Sequence, residues 1–367
     1  MAFDLIRTSD VTPVSRERLM AAKRGFTTRR VKLDDARTLV AGSAAPRIGD
    51  LVLAVVEKIG SHAKIELPSG RRAQLSVGDE IIVAYGNRYA PDQFEALIGE
   101  NLDTCHLVAA GGVASTKVAK HEAMASPTRI TPVGLLAGET GERLNLSNYA
   151  VSLDTRRRPI KVVYVAGTSM NAGKTMTAAG LVYALAKAGH KVAGIKSTGT
   201  GAGGDLWLMS DMGAHAVLDF TDAGLPSTYL APVDQIERTV LGLIGHAADQ
   251  GCDVAVVEVA DGLQHEETAT LLRSAAIREA AVGIVFAAND ALGAKAGLRV
   301  LEEWDYRVLA LSGQLTRSPL AMREAARSTG MSVVTLAEIQ AGCLTSSILA
   351  PATYGASAFL AAGLEAA

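Results

Sequence analysis

Cysteine is scarce: three residues in 367, Cys105, Cys252 and Cys343, spaced too widely for a disulfide framework or a metal knuckle. That scarcity suits a reducing compartment, and a cytoplasmic location is expected. Neither sign of charge is in excess. Lys plus Arg number 36 against 38 Asp plus Glu, a formal charge of −2, so nothing in the balance points to a nucleic-acid partner or an acidic solvating tail. No apolar run approaches the roughly 20 residues of a membrane span; the mean hydropathy of +0.21 comes from Ala and Val. The first thirty residues carry Arg7, Arg16, Arg18, Lys23, Arg24, Arg29 and Arg30 without a compact apolar segment, so no secretory signal is expected. Internal repeats and low-complexity tracts are also absent. What remains is a chain that is 49% hydrophobic and 20% charged, able to bury a full core and long enough for two domains.

The texture changes along the chain. Residues 1–46 are polar, basic and weakly patterned, and read as an extension that packs on the rest or stays mobile. Residues 47–153 carry short Val- and Ile-rich runs, Leu51–Val56, Ala63–Leu67, Arg72–Leu75 and Glu80–Ala84, separated by turn signals such as Pro68-Ser69-Gly70. Spacing that close leaves no room for crossover helices and predicts a small antiparallel barrel-like β domain. Asp154–Pro159 reads as a charged linker. From 154 to 367 strand-like and helix-like stretches alternate: Lys161–Ala166, Thr175–Ala188, Lys191–Ile195, Ile236–Ala248, Asp253–Val257, Gly283–Phe286, Ala291–Glu303, Arg307–Leu311, Leu320–Ser328 and Ser332–Val334. This predicts an α/β domain, a doubly wound and mostly parallel sheet with helices on both faces.

Directly after the first strand of that sheet stand Gly167, Thr168, Ser169, Met170, Asn171, Ala172, Gly173, Lys174 and Thr175. The Gly-Lys-Thr ending, with a strand before it and a helix after it, matches the P-loop pattern. Backbone N–H groups at such a helix start curl around phosphates. Lys174 would reach the outer phosphates and the Thr175 hydroxyl a Mg²⁺ ion. Thr168 takes the place of the usual first glycine. Glu258 ends a buried apolar run, at the strand edge where open α/β sheets bind ligands; it is a metal carboxylate or a surface strand end. Asp205 follows the Gly-rich stretch Gly199–Gly204 and is a metal ligand or a helix cap. Lys196, at the end of the second strand, adds a positive charge where a phosphoryl group would travel.

These residues resemble the dethiobiotin-synthetase-like branch of P-loop proteins, which includes cobyrinic acid amide synthases and the molybdopterin-guanine-dinucleotide biosynthesis adaptor. The synthetases share the Gly-Thr-x-x-x-x-Gly-Lys-Thr loop and the strand-end lysine matched by Lys196. The run Ile195–Thr198, with Gly204-Asp205-Leu206-Trp207 and Gly213-Ala214, looks more like the adaptor. A more distant likeness is to the P-loop family that includes D-glutamate N-acetyltransferase. The resemblance covers about residues 160–300 and implies Thr175, Asp205 and Glu258 as Mg²⁺ ligands and Lys174 as the phosphate lysine. After its strand-end acid a synthetase carries a Gly-Ala-Gly-Gly-like segment, whereas this chain has Glu258-Val259-Ala260-Asp261-Gly262.

The expected function is an enzyme that uses ATP and Mg²⁺ to phosphorylate a small carboxylate for attack by an amine, with Lys174, Lys196 and Glu258 catalytic. Alternatives are a nucleotide-hydrolysing adaptor in cofactor metabolism and an acyltransferase that grips the phosphates of coenzyme A. A homo-oligomer is expected. Glu258, Asp261, His265, Glu266 and Glu267 form an acidic cluster suited to a second metal, a general base or a solvated loop. Asn289-Asp290 and Ser312–Arg317 stand where a base or ribose could be contacted. In the β domain Arg88, among Tyr85, Tyr89 and Phe94, is either a candidate clamp for a substrate carboxylate or part of an aromatic plug capping the barrel, and Thr198 is a second substrate contact.

Overall fold

In the computed structural model of the protein, residues 10–156 and 158–350 are described. Arg157 of the expected linker, residues 1–9 of the expected extension and residues 351–367 of the expected α/β domain lie outside them. The C-terminal half is built on a six-stranded sheet in the order Ala216–Asp219, Val192–Lys196, Val254–Glu258, Lys161–Gly167, Gly283–Ala287, Val308–Ser312, with every pairing parallel. Side chains alternate across a strand, and here both faces are apolar. Val162, Tyr164 and Ala166 enter one core with Ile236, Val240 and Leu243 of the helix Val233–Asp249 and Ala294 and Leu301 of the helix Ala291–Glu303. Val163 and Val165 enter another with Ala178, Leu181 and Leu185 of the helix Lys174–Lys187. Both faces are therefore covered, as the continuous apolar runs require.

The three strands that follow Lys161–Gly167 in sequence lie on one side of it and the last two on the other. The loop after this strand thus opens at the point where the sheet reverses its direction of growth, the crevice in which open α/β sheets hold ligands. Expected Ser332–Val334 makes only an isolated parallel bridge, Val333 to Leu311, and the four-residue strand Ala216–Asp219 was hidden by its brevity. Phe286 sits fully buried against Gly297. A Cβ on Gly297 would run into its ring, so Gly297→Ala is expected to cost about 1–3 kcal/mol through overpacking, less up to about 1 kcal/mol of helix propensity. A thermal denaturation midpoint at or above that of the parent would show that the ring yields freely.

In the N-terminal half the pairings run in a ring through five strands. Thr128–Ala137 pairs with Leu51–Lys58, which pairs with Glu80–Tyr85. That strand pairs with Val113–Lys120, this with Cys105–Ala109, and the last returns to Thr128–Ala137. One link, Val113–Lys120 to Glu80–Tyr85, is parallel, against the expectation of an all-antiparallel unit. Residues 10–40 are not an appendage: Val11–Pro13, Lys23–Arg24 and Thr38–Val40 join the sheet, and Leu19, Phe26 and Val40 are fully buried. The runs expected at 63–67 and 72–75 form a separate hairpin, Lys64–Glu66 with Arg72–Gln74.

The two halves share a closely packed seam. Arg29 donates to Asp219 at 2.9 Å and Asp222 at 2.5 Å while its guanidinium lies 4.1 Å from the Phe26 ring centre. Glu66, 2% exposed, accepts from Gly203 N–H at 3.0 Å and Trp207 Nε1 at 2.9 Å. Gly111 and Gly201 meet backbone to backbone, where any Cβ would clash. Among the described residues no helix is long and apolar enough to cross a membrane.

Candidate phosphate-binding site

The loop leaves its strand at Gly167 and enters the helix Lys174–Lys187 through two left-handed residues, Asn171 at φ 64° and Gly173 at φ 100°. Gly173 also lies against Gly313, its ideal Cβ position 2.9 Å from the Gly313 Cα; glycine is required on both counts. Neighbouring elements fasten the outside of the loop. Thr168 N–H donates to Ala287 O at 3.0 Å and Gln314 N–H to Ala172 O at 2.9 Å, and Asn289 Nδ2 donates to Ser169 Oγ at 2.9 Å. From the other half of the molecule, Asp92 accepts from Asn171 Nδ2 at 3.1 Å. Asn289 and Gln314 therefore brace the loop, and Asp290 caps its helix at Gly293 N–H.

Lys174 is 6% exposed and its ammonium donates to the Ser169 carbonyl at 2.8 Å. Burial lowers its pKa from the ordinary lysine value, opposed by Glu258, Asp261 and Asp205. Thr175 Oγ1 donates to Glu258 Oε1 at 2.9 Å, while Glu258 Oε2 is buried without a partner. Burial, then the charge of Asp205, pushes the Glu258 carboxyl up to about 7. Asp205 is no cap: it sits in the first turn of the helix Gly204–Asp211, whose N-cap is Gly203, and it pairs with Lys196. Burial opposes the Lys196 charge, but Asp205 and Glu258 outweigh it and hold its pKa above the usual value. Lys174, Thr175, Lys196, Asp205 and Glu258 thus converge at the C-terminal edge of the sheet.

The same residues suit a magnesium ion. Mg²⁺ takes hard oxygen ligands and is usually bound through one or two carboxylates together with substrate phosphates. Thr175, Asp205 and the orphan oxygen of Glu258 offer that chemistry. Among the described residues no group of three or more His, Cys, Asp or Glu is gathered so as to hold a metal ion alone.

The two expected substrate contacts are engaged within the protein. Arg88 is 7% exposed; its guanidinium donates to Gln93 Oε1 at 2.8 Å and faces His62 Nε2 at 3.4 Å. Burial lowers its pKa to about 10. It plugs the β unit instead of presenting a fork to a ligand. Thr198, 2% exposed, accepts from Ala260 N–H at 2.8 Å, holding the turn after Glu258. What the sequence did not reveal is a group on the seam: the Tyr89 ring lies 4.5 Å from His265 and 5.4 Å from Tyr229, centre to centre, and Tyr229 Oη donates to Glu95 at 2.9 Å. The partners lie more than a hundred residues apart, and no local pattern announces them.

No family model matches the chain, and no curated protein does. Among solved structures it is similar to chloroplast FtsY from Physcomitrella patens, at 16% identity and a TM-score of 0.36, over 51% of this chain and 62% of that one. It is also similar to the signal recognition particle 54 kDa protein from Aeropyrum pernix in complex with GDP, at 18% identity and TM-score 0.34, over 53% and 50%. A third is a DUF1611 family protein from Anabaena variabilis, at 15% identity and TM-score 0.37, over 54% and 60%. The chain spans less than two thirds of the length of each. Overlaps this shallow say nothing of ligand or partner.

Proposed function

We propose that the chain binds a magnesium nucleoside triphosphate, ATP, at Gly167–Thr175 and phosphorylates a small carboxylate, which an amine then attacks to form an amide. The observation that carries this is the convergence of Lys174, Thr175 and Glu258 at the helix start, with Lys196 and Asp205 paired beside them. The backbone amides of the loop and Lys174 would grip the phosphates, and Lys196 would meet charge developing on the transferred group. Thr175, Glu258 and Asp205 would hold the magnesium ion, which when bound neutralises phosphate charge.

Glu258→Gln tests the assignment. The amide keeps the hydrogen bond from Thr175 and loses the charge, so phosphate release driven by a panel of carboxylates with amines is expected to fall about a hundredfold or more, with nucleotide affinity changed far less. Unchanged turnover would make Glu258 a structural strand end. The same variant has a stability signature. The folded chain keeps a proton on Glu258 up to about 7, whereas the ordinary carboxyl releases it near 4.5. The folded state therefore holds the extra proton between these values, and parental stability falls as pH rises through that window. Glu258→Gln lacks this loss, so its melting temperature is expected to gain on the parent from the acid to the alkaline side.

A second reading, acyl transfer from a coenzyme A thioester gripped by its phosphates, is favoured by His265. Its Nε2 is buried and unpartnered beside the site, a base that could take the proton of an acceptor amine attacking a thioester directly. Thioester consumption without ATP would select this reading; amine-dependent phosphate release would select the first.

A further inference from the structure

Where the β unit meets the P-loop half, two tyrosine rings pack beside a buried histidine, with three carboxylates nearby. His265 has a side chain only 9% exposed. Its Nδ1 faces Glu267 Oε2 at 3.1 Å, and Glu267 is itself fixed by the Leu230 N–H at 2.8 Å. An imidazole held this way carries its proton on Nδ1, leaving the lone pair on Nε2, the atom without a partner. The rings of Tyr89 and Tyr229 pack tilted against the imidazole, 4.5 and 6.1 Å from its centre. Burial raises the Tyr89 phenol above its ordinary pKa, and the charges of Asp261, Glu267 and Glu95 add to the effect, so all three carboxylates lie within electrostatic reach of that ring. Tyr229, tied to Glu95, is pushed up to about 12, by burial first and then by that hydrogen bond. Asp261 holds a left-handed backbone at φ 64°. The next residues close on the phosphate loop: Gly262 packs against the Thr168 backbone and Leu263 N–H donates to Gly167 O at 3.3 Å, which sets this group next to the phosphate site. Left-handed backbone in a residue other than glycine is a strain that gathers at functional sites.

Carboxylates and ring faces around an acceptor atom recognise one kind of ligand: a cation with N–H bonds. We infer that Tyr89, Tyr229, His265 and the carboxylates of Glu95, Asp261 and Glu267 form the binding site of a primary ammonium substrate, the amine of the reaction proposed above, on which this inference rests. The ammonium lies against the tyrosine faces and donates one N–H to Nε2 of His265. That nitrogen is placed to take the proton: the N–H bond breaks, the proton passes to Nε2, and the amine lone pair is freed for the activated carbonyl. Both halves of the chain contribute, Tyr89 and Glu95 from the β unit and the rest from the P-loop half, so the seam is where the second substrate sits.

The test uses the full chain with n-butylammonium as probe and n-butyrate as control, followed by saturation-transfer NMR, with Mg-ATP binding measured in parallel by calorimetry. The parent is expected to bind the ammonium saturably and not the carboxylate. Glu267→Gln and Tyr89→Ala are each expected to weaken the ammonium about tenfold with Mg-ATP affinity unaltered. Tyr89 lies on the seam and outside the cores, so its variant keeps the question open to measurement if Glu267→Gln misfolds. Equal binding of ammonium by parent and variants, no binding at all, or equal binding of butyrate overturns the ammonium site even where Mg-ATP binds. If Mg-ATP fails to bind while the ammonium binds and is lost in the variants, the nucleotide reading falls and the ammonium site stands.

Discussion

Lys174→Ala is expected to leave a folded chain that no longer holds a phosphate ligand. The ammonium is the one cation inside the loop, donating to the Ser169 carbonyl, and a bound phosphate would take over that donor. Each charge-assisted hydrogen bond contributes about 1.5–3 kcal/mol; a lysine shared by two phosphates makes two, so affinity for Mg-ATP is expected to fall by about a hundredfold or more. The fold should survive, because burial already works against the Lys174 charge and Lys196 remains beside the carboxylates. Calorimetric titration decides it, with circular dichroism melting as the check on folding. Parental affinity in the variant would remove the phosphate site from Gly167–Thr175 altogether, and a parallel titration with coenzyme A applies the same test to the acyl-transfer reading.

The largest effect on stability is expected at Arg29. Its side chain is 14% exposed, and it faces Asp219 at 0% and Asp222 at 5%. Arg29→Ala leaves two buried carboxylates without their main cation, a change that typically costs about 3–5 kcal/mol. The loss has a definite pH dependence. Burial and the Asp219 charge already raise the Asp222 carboxyl above its usual range, and removing Arg29 raises it further. The folded variant then binds more protons than the unfolded chain, so stability rises as pH falls. Urea denaturation is expected to show a wide gap between parent and variant in mild alkali and a narrower one in mild acid. A gap independent of pH would mean that the variant loses packing on Phe26 and not charge.

Local features were legible in the sequence. The strand, loop and helix around Gly167–Thr175 are contiguous, and each part announces itself through composition. The buried strands of the sheet could be read as apolar runs because both faces are covered. Arg88 shows the opposite case. An arginine among aromatics, next to a Gly and a Pro, has the composition of an exposed ligand loop, yet Arg88 pairs in sheet register with Ala96 and turns inward onto Gln93. The basic start of the chain misled in the same way. Arg16, Arg18 and Arg30 are exposed while Leu19, Phe26 and Val40 reach the core, and sparse apolar residues without a period do not reveal a strand that joins a sheet far along the chain. Tyr89, Tyr229 and His265 belong to three separate segments, and only the folded seam makes them neighbours.

The grip of Glu66 on Trp207 gives the protein an optical consequence. The chain has two tryptophans. Trp304 lies at the end of the helix Ala291–Glu303, with Arg273 5.0 Å from its ring centre. Trp207 instead rides on the short helix that carries Asp205, its indole N–H bound to a buried carboxylate and its ring 5.9 Å from Phe26. Any rearrangement that draws Asp205 away from Lys196 must tug on that indole. Emission from a Trp304→Phe chain would then report any movement of that helix in real time, with no label attached.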